Sequence, residues 1–255
     1  MTPPLFLVPD LGSGDVIVLT GAEAHHAGTV KRLTVGERAL LADGRGGLAE
    51  VSISAVEQDR VSCAVLHRRV LPEPSPRFVV VQALPKGDRA ELAVEVLTEL
   101  GVDEIVPWSA ARSISVWKGD KADKGVAKWR RTAAEAAKQS RRPRIPVVAE
   151  LAGTAEVADR IRATGLAVLL HEDAETALAE VLAPGATSGR HAEPAVSGPV
   201  EVLLVVGPEG GLAPEELALF QAAGARPARL GSEVLRTSTA GAAALAVLSV
   251  AVGRW

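Results

Sequence analysis

Three prolines within six residues, Pro72, Pro74 and Pro76, divide the chain into two stretches whose apolar patterns differ in kind. Proline fixes φ and has no N–H to give a sheet ladder, so Leu71–Pro76 reads as an extended linker. It sets a domain boundary between residues 1–72 and 73–255. Before the linker, apolar or alternating runs at Val16–Leu19, Arg38–Ala42, Leu48–Ile53 and Arg60–Val65 predict short strands. Turn residues separate them, notably Asp43–Gly47. Gly21–Arg32 sets Glu23, His25, His26, Lys31 and Arg32 among small residues and predicts a short helix. Short strands with one helix indicate a small β-barrel.

After the linker the pattern alternates. Strands are expected at Phe78–Ala83, Glu104–Trp108, Leu166–Leu170, Val200–Val206 and Arg226–Leu230. Helices are expected at Asp88–Leu100 (through Leu92, Val96 and Leu100, stopping at Gly101), Lys124–Ser140 (with Trp129, Ala133 and Ala137 on one face), Thr154–Thr164, Thr176–Leu182, Pro214–Ala223 and Thr239–Val252. Ala183–Pro199 is rich in Gly, Pro, Ser and Ala and reads as a flexible insertion. Strands alternating with helices imply an α/β domain with a mostly parallel sheet.

Composition narrows the function classes. With 255 residues, 47% of them hydrophobic, the chain can bury a sizeable core. The net charge of −3 gives no nucleic-acid signal for the chain as a whole, so any RNA-binding surface must come from local clustering. The single cysteine, Cys63, excludes an internal disulfide and a cysteine-rich zinc site, and its alternating surroundings predict a small core residue. The five histidines are not spaced with carboxylates as metal ligands, so no catalytic metal is expected. Met1–Asp10 lacks a signal-peptide pattern and no apolar run is long enough for a bilayer, so a soluble, cytoplasmic protein is expected.

Three stretches carry candidate chemistry. Val205–Leu212 reads Val-Val-Gly-Pro-Glu-Gly-Gly-Leu after a buried strand and before a helix. A loop at the carboxyl edge of a parallel sheet is a usual ligand position, and glycines let the backbone approach closely. It has neither Walker nor GxGxxG spacing, and an ordinary strand-to-helix turn is the plainer reading. Leu230–Ala240 reads Leu-Gly-Ser-Glu-Val-Leu-Arg-Thr-Ser-Thr-Ala. Thr237 or Ser238 is a candidate helix cap, which leaves Arg236 either paired with a carboxylate or functional. Lys138, Arg141, Arg142 and Arg144 put four cations within seven residues at a helix end. That run suits phosphate contacts and equally a solvated helix terminus.

These stretches, in this order, resemble the RsmE family of SPOUT methyltransferases. Leu230–Ala240 is similar to that family's LGxxxLRTETA signature and Gly207–Gly211 to its GPEGG loop. Leu84–Asp88 resembles its KGDR segment, Glu99–Val102 its ELGV segment, and Arg112–Ser113 with Glu135–Arg142 its central RNA-facing segments. His25–His26, Lys31–Leu33 and Val35–Glu37 resemble its PUA-like domain. The signature's glutamate is Ser238 here, so no role carries over for that carboxylate.

The resemblance implies a SPOUT α/β domain with a deep C-terminal trefoil knot and a mostly parallel sheet, behind an N-terminal PUA-like β-barrel. It implies S-adenosylmethionine as cofactor, held by Leu170, His171, Gly207, Pro208, Gly210, Gly211, Leu230, Gly231, Leu235 and Thr237. It further implies methylation of uridine N3 in 16S ribosomal RNA on the small ribosomal subunit. Arg236 is the candidate for stabilising the developing anion, Glu209 for orientation or proton removal. Lys31, Arg32, Lys86, Arg112, Gln139, Arg141 and Arg142 are the candidate RNA contacts, and a homodimer is expected, with the apolar final helix, Ala242–Val252, reading equally well as an interface element or as an interior helix. Ribose 2'-O methylation and a non-catalytic assembly factor remain the alternatives. A Rossmann dehydrogenase is disfavoured by the missing fingerprint.

Overall fold

A computed structural model describes residues 2–181 and 201–255, which divide into two compact units. The first runs to Glu73 and also takes in Ala134–Ile145; the second comprises Pro74–Ala133 and the described residues from Pro146 onward. The expected insertion Ala183–Pro199, with Leu182 and Val200, lies outside the described residues.

The first unit contains β1 (Leu5–Leu7), β2 (Val16–Thr20), α1 (Gly21–His25), β3 (Arg38–Ala42), β4 (Gly47–Val56) and β5 (Arg60–Val70). They form one sheet in the order β1-β3-β4-β5-β2, with β1 parallel to β3 and the other pairs antiparallel. Register shifts in β4 at Glu50/Val51 and Ile53/Ala55 bend the sheet, which curls around Phe6, Leu19, Leu41, Ile53 and Cys63. Cys63 is fully buried, and burial pushes its thiol up to about 11. The helix expected over Gly21–Arg32 is α1 continued by a π-helical turn over His26–Val30, with Arg32 beyond it at φ +54°. His26 packs edge-on against Phe6, and burial together with the Lys138 ammonium holds its imidazole below the ordinary range. Strand β1 escaped prediction because three residues carry no readable period.

Ala134–Ile145 joins this unit through buried polar links. Lys138 is only 9% exposed and its ammonium lies 2.6 Å from Glu23 Oε1. The Arg144 guanidinium donates to the carbonyls of Arg45 and, at 2.6 Å, Leu71.

The second unit contains β6 (Arg77–Ala83), α2 (Arg89–Glu99), β7 (Glu104–Trp108), α3 (Asp120–Gln139, whose last turns belong with the first unit), β8 (Val147–Val148), α4 (Thr154–Ala163), β9 (Leu166–Leu170), α5 (Leu178–Val181), β10 (Glu201–Val206), α6 (Pro214–Ala222), β11 (Arg226–Ala228) and α7 (Thr237–Ala251). The sheet is wholly parallel in the order β11-β9-β10-β6-β7-β8. Side chains alternate across each strand. Val79, Val81, Leu203 and Val205 pack with Ile161 of α4 and Phe220 of α6. Val206 and Gln82 meet α7, where Gly241 makes a tight fit: a Cβ there would lie 3.2 Å from Val206 Cγ2 and 3.3 Å from Leu97 Cδ2.

Ion pairs tie the amino ends of the strands. Arg77 reaches Glu104 at 2.5 Å and Glu201 at 2.8 Å, and these carboxylates raise its pKa against the opposing effect of its burial. Arg254 pairs with Asp103 at 3.0 Å and lies over the Phe78 ring. No helix among the described residues is long and apolar enough to cross a membrane.

Several expected details differ. The buried face of α2 is Ala90, Ala93, Val94 and Leu97, while Leu92 of the expected stripe is 43% exposed. Val96 and Leu100 of that stripe are half-buried, so the buried face is turned from the expected one by about one residue. Helix α7 begins at Thr237 with Arg236 as N-cap, and neither Thr237 nor Ser238 caps it; both are buried in its first turn. Strand β11 ends at Ala228, leaving Leu230 in the following loop, and α5 starts at Leu178 rather than Thr176.

Candidate functional site

All six strands of the second sheet point the same way, so the loops at their carboxyl ends gather on one edge. Those after β9, β10 and β11 line a cavity of about 660 Å³. Every residue expected to bind the cofactor is in its wall: Leu170 and His171 after β9, Gly207, Pro208, Gly210 and Gly211 after β10, and Leu230, Gly231, Leu235 and Thr237 after β11. Arg236 and Glu209 line the same cavity, and Arg112 enters from the loop after β7.

Backbone bonds fix the wall. His171 N–H donates to Ala228 O at 3.0 Å, linking the loop after β9 to the end of β11. The His171 Nδ1 accepts from Asp173 N–H at 3.2 Å. Gly211 N–H donates to Pro208 O at 3.0 Å, closing a turn. Gly210 is required by close approach, since a Cβ there would stand 3.0 Å from the Arg112 carbonyl oxygen. Buried Gln82 donates to Thr237 O at 3.2 Å and so fixes the start of α7 against β6.

The polar side chains carry both signs of charge. Glu172, Asp173, Glu209 and Glu233 share the wall with Arg112, Arg229 and Arg236. Glu233 lies within the Leu230–Ala240 stretch singled out in sequence, whereas Asp173 and Arg229 lie just outside the stretches expected to hold the cofactor and carried no signal of their own. Glu209 Oε1 accepts from Lys86 N–H at 3.1 Å, drawing the loop after β6 toward the cavity. Arg236 is exposed and makes no ion pair with any described residue, so the carboxylate pairing considered for it is not found.

The remaining candidate RNA contacts fall in both units. In the first, Lys31, Arg32, Gln139 and Arg141 are exposed and Arg142 is half-buried. Of the four-cation run, Lys138 and Arg144 are instead committed to the internal links described above. Lys86, in the second unit, is exposed.

Comparison with known proteins agrees with this arrangement. A family described as the RNA methyltransferase domain matches residues 72–249, and one described as the RNA methyltransferase PUA domain matches residues 19–66. The chain is 43% identical to the ribosomal RNA small subunit methyltransferase E of Mycobacterium bovis, covering 100% of this chain and 94% of that protein. Identity to the Bacillus subtilis protein of the same name is 31%, over 91% of this chain and 88% of that one. Among solved structures, ribosomal RNA small subunit methyltransferase E of Neisseria gonorrhoeae bound to S-adenosylmethionine superposes with a TM-score of 0.81 at 26% identity, covering 98% of each chain. A Legionella pneumophila methyltransferase with bound S-adenosylmethionine gives 0.79 at 27%, again over 98% of each. Fold and cavity thus define a methyltransferase of the SPOUT class with an N-terminal PUA domain. Within that class, the chain belongs to the RsmE family, the ribosomal RNA small subunit methyltransferases E.

Proposed function

We propose that this protein methylates N3 of a uridine in 16S ribosomal RNA, on the small subunit, using S-adenosylmethionine. The observation that carries the reading is the convergence of three loops, two of them glycine-containing, and of Arg236, which pairs with no carboxylate among the described residues, on one cavity. The wall suits the cofactor chemically. Carboxylates of Glu172, Asp173 and Glu233 complement its sulfonium and ammonium, guanidinium groups complement its carboxylate, and the close packing at Gly210 leaves main chain as the contact surface. When bound, the cofactor supplies an electrophilic methyl group.

Uracil N3 carries a proton at neutral pH and is a poor nucleophile. Charge develops on the flanking carbonyl oxygens as that proton leaves, and Arg236 is suited to stabilise it. Glu209, held by the Lys86 N–H, orients the base or receives the proton. The functional domains are assigned as 1–72, binding RNA, and 73–255, carrying catalysis and a C-terminal trefoil knot. The site of action is the cytoplasm. The protein acts as a homodimer, for which exposed Val247 and Val250 on α7 and Leu92 on α2 offer an apolar face.

RNA affinity is assigned to Lys31, Arg32, Gln139, Arg141 and Arg142 of the first unit, with Lys86 and Arg112 of the second. Arg32 and Arg141 are the two non-glycine residues with positive φ among those described, at +54° and +58°. Each such conformation costs roughly 1–2 kcal/mol, and strain of this kind concentrates at functional positions. Replacing Lys31 and Arg32 together by alanine is expected to flatten the dependence of log K on log salt by about 0.7 per lost contact to single-stranded RNA. Fluorescence anisotropy with a labelled 16S fragment across a salt series measures it; an unchanged slope removes both residues from the interface.

The reaction itself is tested by methyl transfer from labelled S-adenosylmethionine to small subunits lacking N3-methyluridine, with nucleosides resolved by mass spectrometry. N3-methyluridine is the expected product. Label on a ribose would turn the assignment to 2'-O methylation, and cofactor binding without transfer to an assembly factor.

A further inference from the structure

Glu216 is a carboxylate only 4% exposed, on α6, with no cation paired to it among the described residues. It accepts hydrogen bonds from three separate places. Its Oε1 takes the Ala111 N–H at 2.8 Å and the Thr154 hydroxyl at 3.0 Å, and its Oε2 takes the Ala213 N–H at 3.2 Å. Thr154 in turn accepts from Trp108 Nε1–H at 3.4 Å.

Burying a carboxylate is costly, and a helix cap at Ala213 would need only one acceptor. What the burial gains is a rigid brace between two loops. Ala111 precedes Arg112 in sequence, and Ala213 follows the Gly207–Leu212 segment. Between these anchors, Arg112 closes against Gly210, with its carbonyl at the Cβ limit and its Nη1 3.5 Å from Gly210 O.

We propose that Glu216 is a positioning residue for the RNA substrate, acting through Arg112 by fixing the loop after β7 against the loop after β10. This rests on the reading of the cavity as a methyltransferase site in which Arg112 faces RNA. Arg112 makes no ion pair with any described residue, so the aim of its guanidinium depends on the backbone that Glu216 holds.

The test is a double-mutant cycle with Glu216→Gln and Arg112→Ala, measuring KM for the small-subunit substrate, kcat, and the dissociation constant of S-adenosylmethionine. Each single variant is expected to raise the RNA KM about tenfold while kcat and cofactor affinity change less. The double variant is expected to match Arg112→Ala alone, because there is then no guanidinium left to position. A double variant that adds the full Glu216→Gln penalty to that of Arg112→Ala overturns the positioning role and leaves the RNA reading of Arg112 intact. An unchanged RNA KM in Arg112→Ala overturns that reading and, with it, this inference. If Glu216→Gln does not fold, Glu216→Asp keeps the charge, shortens the brace by one methylene, and enters the same cycle with the same expected outcomes.

Discussion

Arg236→Ala is expected to lower kcat for methyl transfer by about 100- to 1,000-fold, the usual effect of removing one donor aimed at developing negative charge. S-adenosylmethionine affinity, measured by calorimetry, is expected to stay within about threefold, a shift worth well under 1.4 kcal/mol. The separation follows from how the residue is mounted. Its backbone carbonyl accepts from the N–H groups of Thr239 and Ala240 and caps the start of α7, so an alanine there keeps the same backbone arrangement. The guanidinium is exposed, lines the cavity and has no carboxylate partner among the described residues to leave behind. The positive end of α7 lies at the same place and adds to the field. Arg236→Lys keeps the charge but loses the planar fork, so partial activity is expected. A kcat near that of the parent protein in Arg236→Ala would remove the residue from the chemistry.

Phe220→Ala is expected to cost about 3–5 kcal/mol in a urea unfolding curve, the range for truncating a buried aromatic side chain. Phe220 is fully buried on α6, its ring 5.2 Å from that of Trp108 in a tilted packing, among Ile161, Leu169 and Val205. Five elements meet there, so the void cannot close by moving one of them. A loss of that size is a large share of the roughly 5–15 kcal/mol that holds a typical domain. Phe220→Leu, which refills most of the volume, is expected to cost under about 1.5 kcal/mol. Because α6 follows the Gly207–Leu212 loop, cofactor affinity is expected to fall with stability in the alanine variant and to be nearly retained in the leucine one. A cost below about 1 kcal/mol for Phe220→Ala would mean that this core collapses freely around the gap.

The alternation of strands and helices was legible because a buried parallel strand such as Val202–Val206 is apolar throughout, while helices carry spaced apolar positions. The bounds of β3, β7 and β9 coincide with the apolar runs that predicted them. The cavity was legible through two loop motifs whose order along the chain resembles a family. Short partners were not: β1 and β8 are defined by the strands they pair with, and two or three residues carry no pattern of their own. The buried face of α2 differs from the expected one because apolar residues lie all around the helix, Leu92 and Val96 on one side and Val94 and Leu97 on the other, so spacing alone does not select the face. The start of α7 differs from the expectation because Thr237 and Ser238, whose hydroxyls suit a cap, are buried as its first two residues while Arg236 takes the N-cap position. Glu216 was hidden for a different reason. In sequence it is one of two adjacent acidic residues in a first helical turn, and its other partners, Ala111 and Thr154, come from distant segments.

The return of Ala134–Ile145 to the first unit bears on how this protein can be taken apart. A fragment cut after Glu73 would carry every strand of the curled sheet and still be incomplete. It would leave the Arg45 and Leu71 carbonyls without the guanidinium that serves them, and Glu23 without its ammonium. The natural seam is therefore not a single cut in the polypeptide. Any attempt to transplant the RNA-binding module onto another enzyme has to graft two pieces of chain, and the second is borrowed from the middle of the catalytic half.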